Sequence, residues 1–89
     1  ARLVADQAAL ADDSLRGRRV GTPGNAAARR YVASRFDALG LGTVGGGRLQ
    51  PFAVTYGRDS VRAEGVNIVG LVRGTEHPER YLVVTAHYD

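Results

Sequence analysis

The chain has 89 residues, which is enough for one small domain or for part of a larger one. Apolar residues make up 44% and charged residues 24% of it, a composition typical of folded globular proteins and not of disordered ones. No segment approaches the roughly 18 uninterrupted apolar residues of a membrane-spanning helix. The absence of cysteine excludes disulfides and thiolate metal sites.

The net charge of +3 comes with twelve basic residues, all of them arginine. Arginine binds phosphates and guanine edges, so a nucleic-acid-binding module is one alternative function. Only Arg16, Arg18 and Arg19, and the pair Arg29 and Arg30, are grouped. No aromatic residues are interleaved with them, as a base-stacking platform requires. We therefore expect solvated arginines and no nucleic-acid partner.

The first half of the chain predicts two helices. The first segment, residues 1 to about 15, has apolar residues spaced by three or four, which predicts an amphipathic helix that ends near Asp12 and Asp13. After a loop rich in glycine and proline, Thr22 is a predicted N-cap and Pro23 the first residue of the second helix. This helix is predicted to reach about Leu39, and Gly40 follows where a left-handed C-cap belongs.

The loop over residues 16–25 has two interpretations. It precedes a helix N-terminus, and such a terminus attracts anions. The same residues also make an ordinary capped connection, with proline and glycine for the turn and Thr22 for the cap. We favour the capped connection.

The second half predicts three strands, at residues 49–55, 66–72 and 81–86. The intervening residues 56–65 and 73–79 are predicted loops. The third strand would be an exposed apolar edge, which natural proteins avoid, so we expect more strands to follow it. Two helices and three strands predict an α/β fold class.

His87 and Asp89 follow the third predicted strand and carry the clearest chemical proposal. Imidazole binds zinc at neutral pH, and a metal-bound histidine normally donates its other ring N–H to a carboxylate or carbonyl. In a strand the two side chains would project to the same side. The alternative is a hydrogen-bonded histidine and a solvated aspartate, because His-x-Asp alone is a weak pattern. His77, beside Pro78 in a predicted turn, is expected to be a solvated loop residue.

A series of short motifs extends along nearly the whole chain. In chain order they are Asp13-Ser-Leu-Arg-Gly-Arg18, Gly21-Thr-Pro-Gly-Asn25, Ala28, Tyr31, Phe36, Leu39-Gly-Leu41, Gln50-Pro-Phe52, Val66-Asn-Ile-Val-Gly70, Arg73-Gly-Thr75 and Tyr81-Leu-Val-Val-Thr-Ala-His-Tyr-Asp89. This order resembles the opening of the zinc-dependent aminopeptidases of metallopeptidase family 28.

The resemblance implies a mixed sheet flanked by helices, the phosphorylase/hydrolase-like α/β/α domain of zinc exopeptidases, with two zinc ions. It implies that His87 is a zinc ligand and that Asp89 is a supporting catalytic carboxylate. The family's other ligands and its glutamate base match no residue here. Residues 1–89 are therefore expected to be an incomplete N-terminal segment of a single peptidase domain, inactive alone and not expected to hold zinc.

The implied activity is the release of amino acids from the N-terminus of a peptide substrate, and the resemblance also implies export to the periplasm or the cell exterior. Three alternatives stay open: a glutaminyl cyclase, a carboxypeptidase, and a non-catalytic binding domain with the same fold. The sequence indicates neither the residues that select the substrate nor the oligomeric state.

Overall fold

The computed structural model describes residues 2–89. It contains helix α1 (Arg2–Leu10), a 3₁₀ helix (Asp13–Arg18), helix α2 (Pro23–Ala38) and strands β1 (Leu49–Tyr56) and β2 (Val61–Ile68). The strands form one two-stranded antiparallel sheet. The predicted α/β class is confirmed at this level. No helix in the described part of the chain has the length and apolar character to cross a membrane.

The first predicted helix ends early. Its first residue, Ala1, lies outside the described residues, and α1 ends at Leu10, slightly before the predicted end near Asp12 and Asp13. The Asp12 carboxylate accepts a hydrogen bond from the Ser14 backbone N–H at 2.8 Å and caps the 3₁₀ helix instead. Aspartate competes in this way with helical backbone bonding, which explains why the α-helix does not continue.

Helix α2 begins and ends close to the predicted residues. The Thr22 hydroxyl accepts a hydrogen bond from the Asn25 backbone N–H at 3.2 Å, so the N-cap is confirmed. Gly40 has a φ of +68° and is the left-handed residue at the other end. Gly24 lies so close to the Leu15 carbonyl that a β-carbon would not fit. The 3₁₀ helix therefore packs directly on the first turn of α2.

Strand β1 agrees with its prediction, whereas β2 does not. β2 begins at Val61, inside the predicted loop 56–65, and ends at Ile68 rather than at residue 72. Polar and apolar residues alternate at its start, and Arg62 and Glu64 lie opposite residues of β1. An antiparallel pair with one solvated face accommodates that polarity, so these residues form a strand and not a loop.

The third predicted strand is absent from the described part of the chain. Residues 81–86 have no regular secondary structure, and the side chains of residues 81–84 are at least 75% exposed. A strand makes its backbone hydrogen bonds to a neighbouring strand, and no described strand pairs with this segment. The expectation of three strands was wrong for this reason.

The Arg48 side chain joins the end of α2 to the sheet. Its guanidinium donates to the carbonyls of Leu41, Gly42 and Val69 at 2.6, 2.9 and 2.9 Å, and its Nε donates to the Asp37 carboxylate at 3.0 Å. The side chain is only 16% exposed. Such charge-assisted bonds are stronger than neutral ones, so Arg48 fixes where the sheet lies against the helix.

Replacement of Arg48 by methionine is expected to lower the free energy of unfolding by about 2–3 kcal/mol, because the carbonyls around it lose a charged donor. Urea denaturation followed by circular dichroism measures this loss. Arg58→Met is the matched control, since Arg58 is exposed in the turn between the strands, and it should change stability by less than about 0.5 kcal/mol. Equal effects of the two substitutions would contradict the role given to Arg48.

Helix α1 is held to α2 by a polar contact. The Tyr31 hydroxyl donates to the Asp6 carboxylate at 2.6 Å, the Arg2 guanidinium donates to the same oxygen at 2.8 Å, and Arg35 Nε lies 3.5 Å from it. The hydrogen bond from Tyr31, followed by that from Arg2, lowers the pKa of Asp6 below its ordinary value of 3.8. The hydrogen bonds between the helices thus favour the ionised form of the Asp6 carboxylate.

A lowered folded-state pKa means that Asp6 stabilises the protein above its unfolded pKa, and that this stabilisation disappears as pH falls through the folded pKa. Wild type is therefore expected to melt above Asp6→Asn near about pH 6, and the two melting temperatures should converge below about pH 3. Thermal unfolding at a series of pH values measures the difference. A difference that does not change with pH would show that ionised Asp6 does not hold α1.

Candidate functional site

The two residues singled out by the sequence, His87 and Asp89, lie in direct contact. His87 Nδ1 is 2.9 Å from Asp89 Oδ1. An ionised carboxylate only accepts hydrogen bonds, so Nδ1 carries the donated proton. This hydrogen bond is the main cause of a lowered pKa of Asp89. Nε2 of His87 makes no hydrogen bond with any residue in the range 2–89 and has its lone pair available.

The His87–Asp89 contact does not hold this part of the chain in place by itself. The His87 side chain is 92% exposed and that of Asp89 is 40% exposed. Water screens the attraction between exposed charges, so such a pair contributes little to stability. Another contact must fix the segment, and it lies between the two residues in the sequence.

Tyr88 makes that contact. Its hydroxyl donates to the carbonyl of Val66 in β2 at 2.6 Å and accepts a hydrogen bond from Arg29 Nε of α2 at 3.4 Å. Val66 is only 7% exposed, so this end of the bond is shielded from water. The sequence pattern alone indicates no role for Tyr88. Its position between His87 and Asp89 is the one feature of the sequence that could have pointed to such a role.

Asn25 links this contact to the start of α2. It is 1% exposed and is the one buried polar side chain of the described residues. Its Oδ1 accepts from Arg29 Nη2 at 3.3 Å, and its Nδ2 donates to the Arg18 carbonyl at 2.9 Å. A buried amide is costly unless it is hydrogen-bonded, and both ends of this one are.

A cleft of about 260 Å³ adjoins the pair. Val20, Phe52 and Val66 contribute its apolar lining, and Asn67, His87 and Asp89 are among its polar lining. The Phe52 ring lies over Gly65 of the opposite strand so closely that a β-carbon would collide with it. The cleft is slightly smaller than typical small-molecule sites.

The donor chemistry of the pair fits a zinc ligand. A neutral imidazole whose Nδ1–H is held by a carboxylate presents Nε2 to a metal with a fixed ring orientation. Within residues 2–89, no three His, Asp or Glu side chains are grouped closely enough to hold a metal ion. The other histidine, His77, is 61% exposed and 3.7 Å from Glu79 in a loop, apart from the cleft lining.

The Asn25 side chain offers a test of the network beneath the site. Asn25→Ala is expected to lower the free energy of unfolding by about 2 kcal/mol, because the partners of a buried amide lose their hydrogen bonds. Asn67→Ala is the matched control, since Asn67 is exposed in β2 and should change stability by less than about 0.5 kcal/mol. Chemical denaturation compares the two. A loss at Asn25 no larger than that at Asn67 would contradict this account.

Comparisons of the chain with known protein families, with curated proteins and with solved structures find no match.

Proposed function

We propose that this chain is the N-terminal part of a zinc-dependent exopeptidase, an aminopeptidase of metallopeptidase family 28 that hydrolyses peptide bonds with a two-zinc site. The contact between His87 Nδ1 and the Asp89 carboxylate carries the proposal. It is an arrangement typical of metal-bound histidines, and it occurs in the motif through which the sequence resembles that family.

In this proposal His87 binds zinc through Nε2. Asp89 accepts the Nδ1–H, which fixes the tautomer, orients the ring and raises the basicity of Nε2. Zinc held there would supply polarisation of the peptide carbonyl and a lowered pKa of a water molecule. Because zinc takes three or four protein ligands in enzymes of this kind, the other ligands and the glutamate base come from outside residues 1–89.

The cleft beside the pair suits the proposed substrate. Its apolar lining by Val20, Phe52 and Val66 lies next to the polar groups of His87 and Asp89, which is the usual composition of a site that binds an apolar group and orients a polar one. Peptides are the proposed substrates, and export is proposed from the same resemblance.

Hydrolysis of peptides with a free N-terminus by the protein at its natural length tests the proposal. His87→Ala is expected to remove one zinc ligand and nearly all activity, and Asp89→Asn is expected to lower zinc affinity or activity about 10- to 100-fold. His77→Ala is the matched control and should leave both unchanged. The 89-residue chain alone, with added zinc, is expected to show no turnover.

Two outcomes contradict the proposal. Full zinc content and activity after His87→Ala would show that His87 is not a ligand. Absence of any peptidase activity at natural length, in the presence of zinc, would favour a non-catalytic binding domain. Cyclisation of an N-terminal glutamine, or release of C-terminal residues instead of N-terminal ones, would assign the chain to a different reaction on the same kind of site.

A further inference from the structure

We infer that Tyr88 is a positioning residue for the His87–Asp89 pair, and that Arg29 and Asn25 hold its hydroxyl through one chain of hydrogen bonds. The importance of the pair rests on the proposed function. The hydrogen-bond chain itself, and the experiment that tests it, require neither zinc nor activity.

The segment that carries the pair has few other attachments. Within the described residues, the hydrogen bonds that join residues 81–89 to the rest of the protein all involve the Tyr88 hydroxyl. The side chains of residues 81–84 are largely exposed, and His87 and Asp89 bond to each other. Loss of the Tyr88 hydroxyl would therefore release the segment that orients both site residues.

Each hydrogen bond in this series has only one possible assignment of donor and acceptor. Tyr88 has a single hydroxyl proton and donates it to Val66, so it can only accept from Arg29. The same guanidinium donates to Asn25 Oδ1. That leaves the Asn25 amide nitrogen to donate to the Arg18 carbonyl. A rotated amide would point its N–H groups at a guanidinium that has only donors, so the orientation is fixed.

The donor–acceptor distances indicate which hydrogen bonds of this chain are strongest. The bond from Tyr88 to Val66 is short at 2.6 Å, whereas the two bonds from Arg29 are 3.4 and 3.3 Å. Short, well-formed hydrogen bonds contribute most, so the Tyr88 hydroxyl is the essential group and Arg29 assists it. Because Tyr88 stands between His87 and Asp89, fixing its ring also fixes the backbone on both sides of it.

The experiment is nitrogen NMR of the His87 ring in the 89-residue chain, at about pH 8, which lies above the ordinary pKa of a histidine side chain. The nitrogen shifts report which ring nitrogen holds the proton. In wild type, the proton is expected on Nδ1. Tyr88→Phe keeps the ring but removes the hydroxyl, and the ratio of Nδ1–H to Nε2–H tautomers should fall about fivefold, the effect of losing roughly one net hydrogen bond. It should approach the ratio of an unstructured His-Tyr-Asp peptide.

Matched variants separate positioning from a general loss of structure. Tyr81→Phe removes a hydroxyl from a side chain that is 75% exposed and should leave the tautomer ratio unchanged. Arg29→Gln should shift the ratio in the same direction as Tyr88→Phe but less, and Arg30→Gln, at an exposed position, should not shift it. The melting temperature of Tyr88→Phe, measured alongside, should fall by no more than about 4–8 °C, the effect of roughly one hydrogen bond in a chain of this length, so that the ring is observed in the folded protein.

An unchanged tautomer ratio in Tyr88→Phe, or an equal change in Tyr81→Phe, would overturn the inference. Neither result depends on catalysis. A protein that shows the tautomer shift but no peptidase activity at natural length would retain the positioning role of Tyr88 and lose the proposed function. Peptidase activity with no tautomer shift would do the reverse.

Discussion

The hydrogen bond from the Tyr88 hydroxyl to the Val66 carbonyl attaches the candidate site to the folded part of the protein. Val66 is buried in β2, and β2 is held against α2 through the bonds that Arg48 makes to the carbonyls of Gly42, which follows α2, and of Val69, which follows β2. On its other side, Tyr88 is joined by Arg29 to Asn25 at the start of α2. The exposed His87–Asp89 pair thus takes its position from groups that are better shielded than itself.

Polar contacts carry much of the tertiary structure. Among the described residues, the buried apolar side chains are Ala28 and Val66. Arg48, Asn25 and the Asp6–Tyr31 contact connect elements that share little apolar surface. Hydrogen bonds of this kind specify geometry more than they add stability, since each replaces a bond to water. The exposed apolar residues 81–84 would gain stability from a neighbouring strand, which a larger sheet of the proposed exopeptidase type would supply.

The sequence predicted the structure correctly where the stabilising interactions join residues close together in the chain. The N-cap at Thr22 and the left-handed Gly40 fix α2 through bonds within a few residues of each other. The start of β2 depends on its pairing with β1, and no described strand lies beside residues 81–86; pairing between segments distant in the chain is not visible in a local sequence pattern. His87 and Asp89 are in contact although the strand expected to project them to the same side does not form, and the role of Tyr88 depends on Val66 and Arg29, which are distant in the chain. The zinc role of the pair stays a prediction.

The most direct test of the central claim, that Asp89 prepares His87 to bind zinc, is a crystal structure of the protein at its natural length with zinc, using anomalous scattering to locate the metal. Two zinc ions a few ångströms apart are expected, as in two-metal hydrolytic sites. One of them should lie about 2.0–2.1 Å from Nε2 of His87, with Nδ1 still bonded to Asp89. Zinc bound elsewhere, with Nε2 of His87 making no contact to it, would contradict the account.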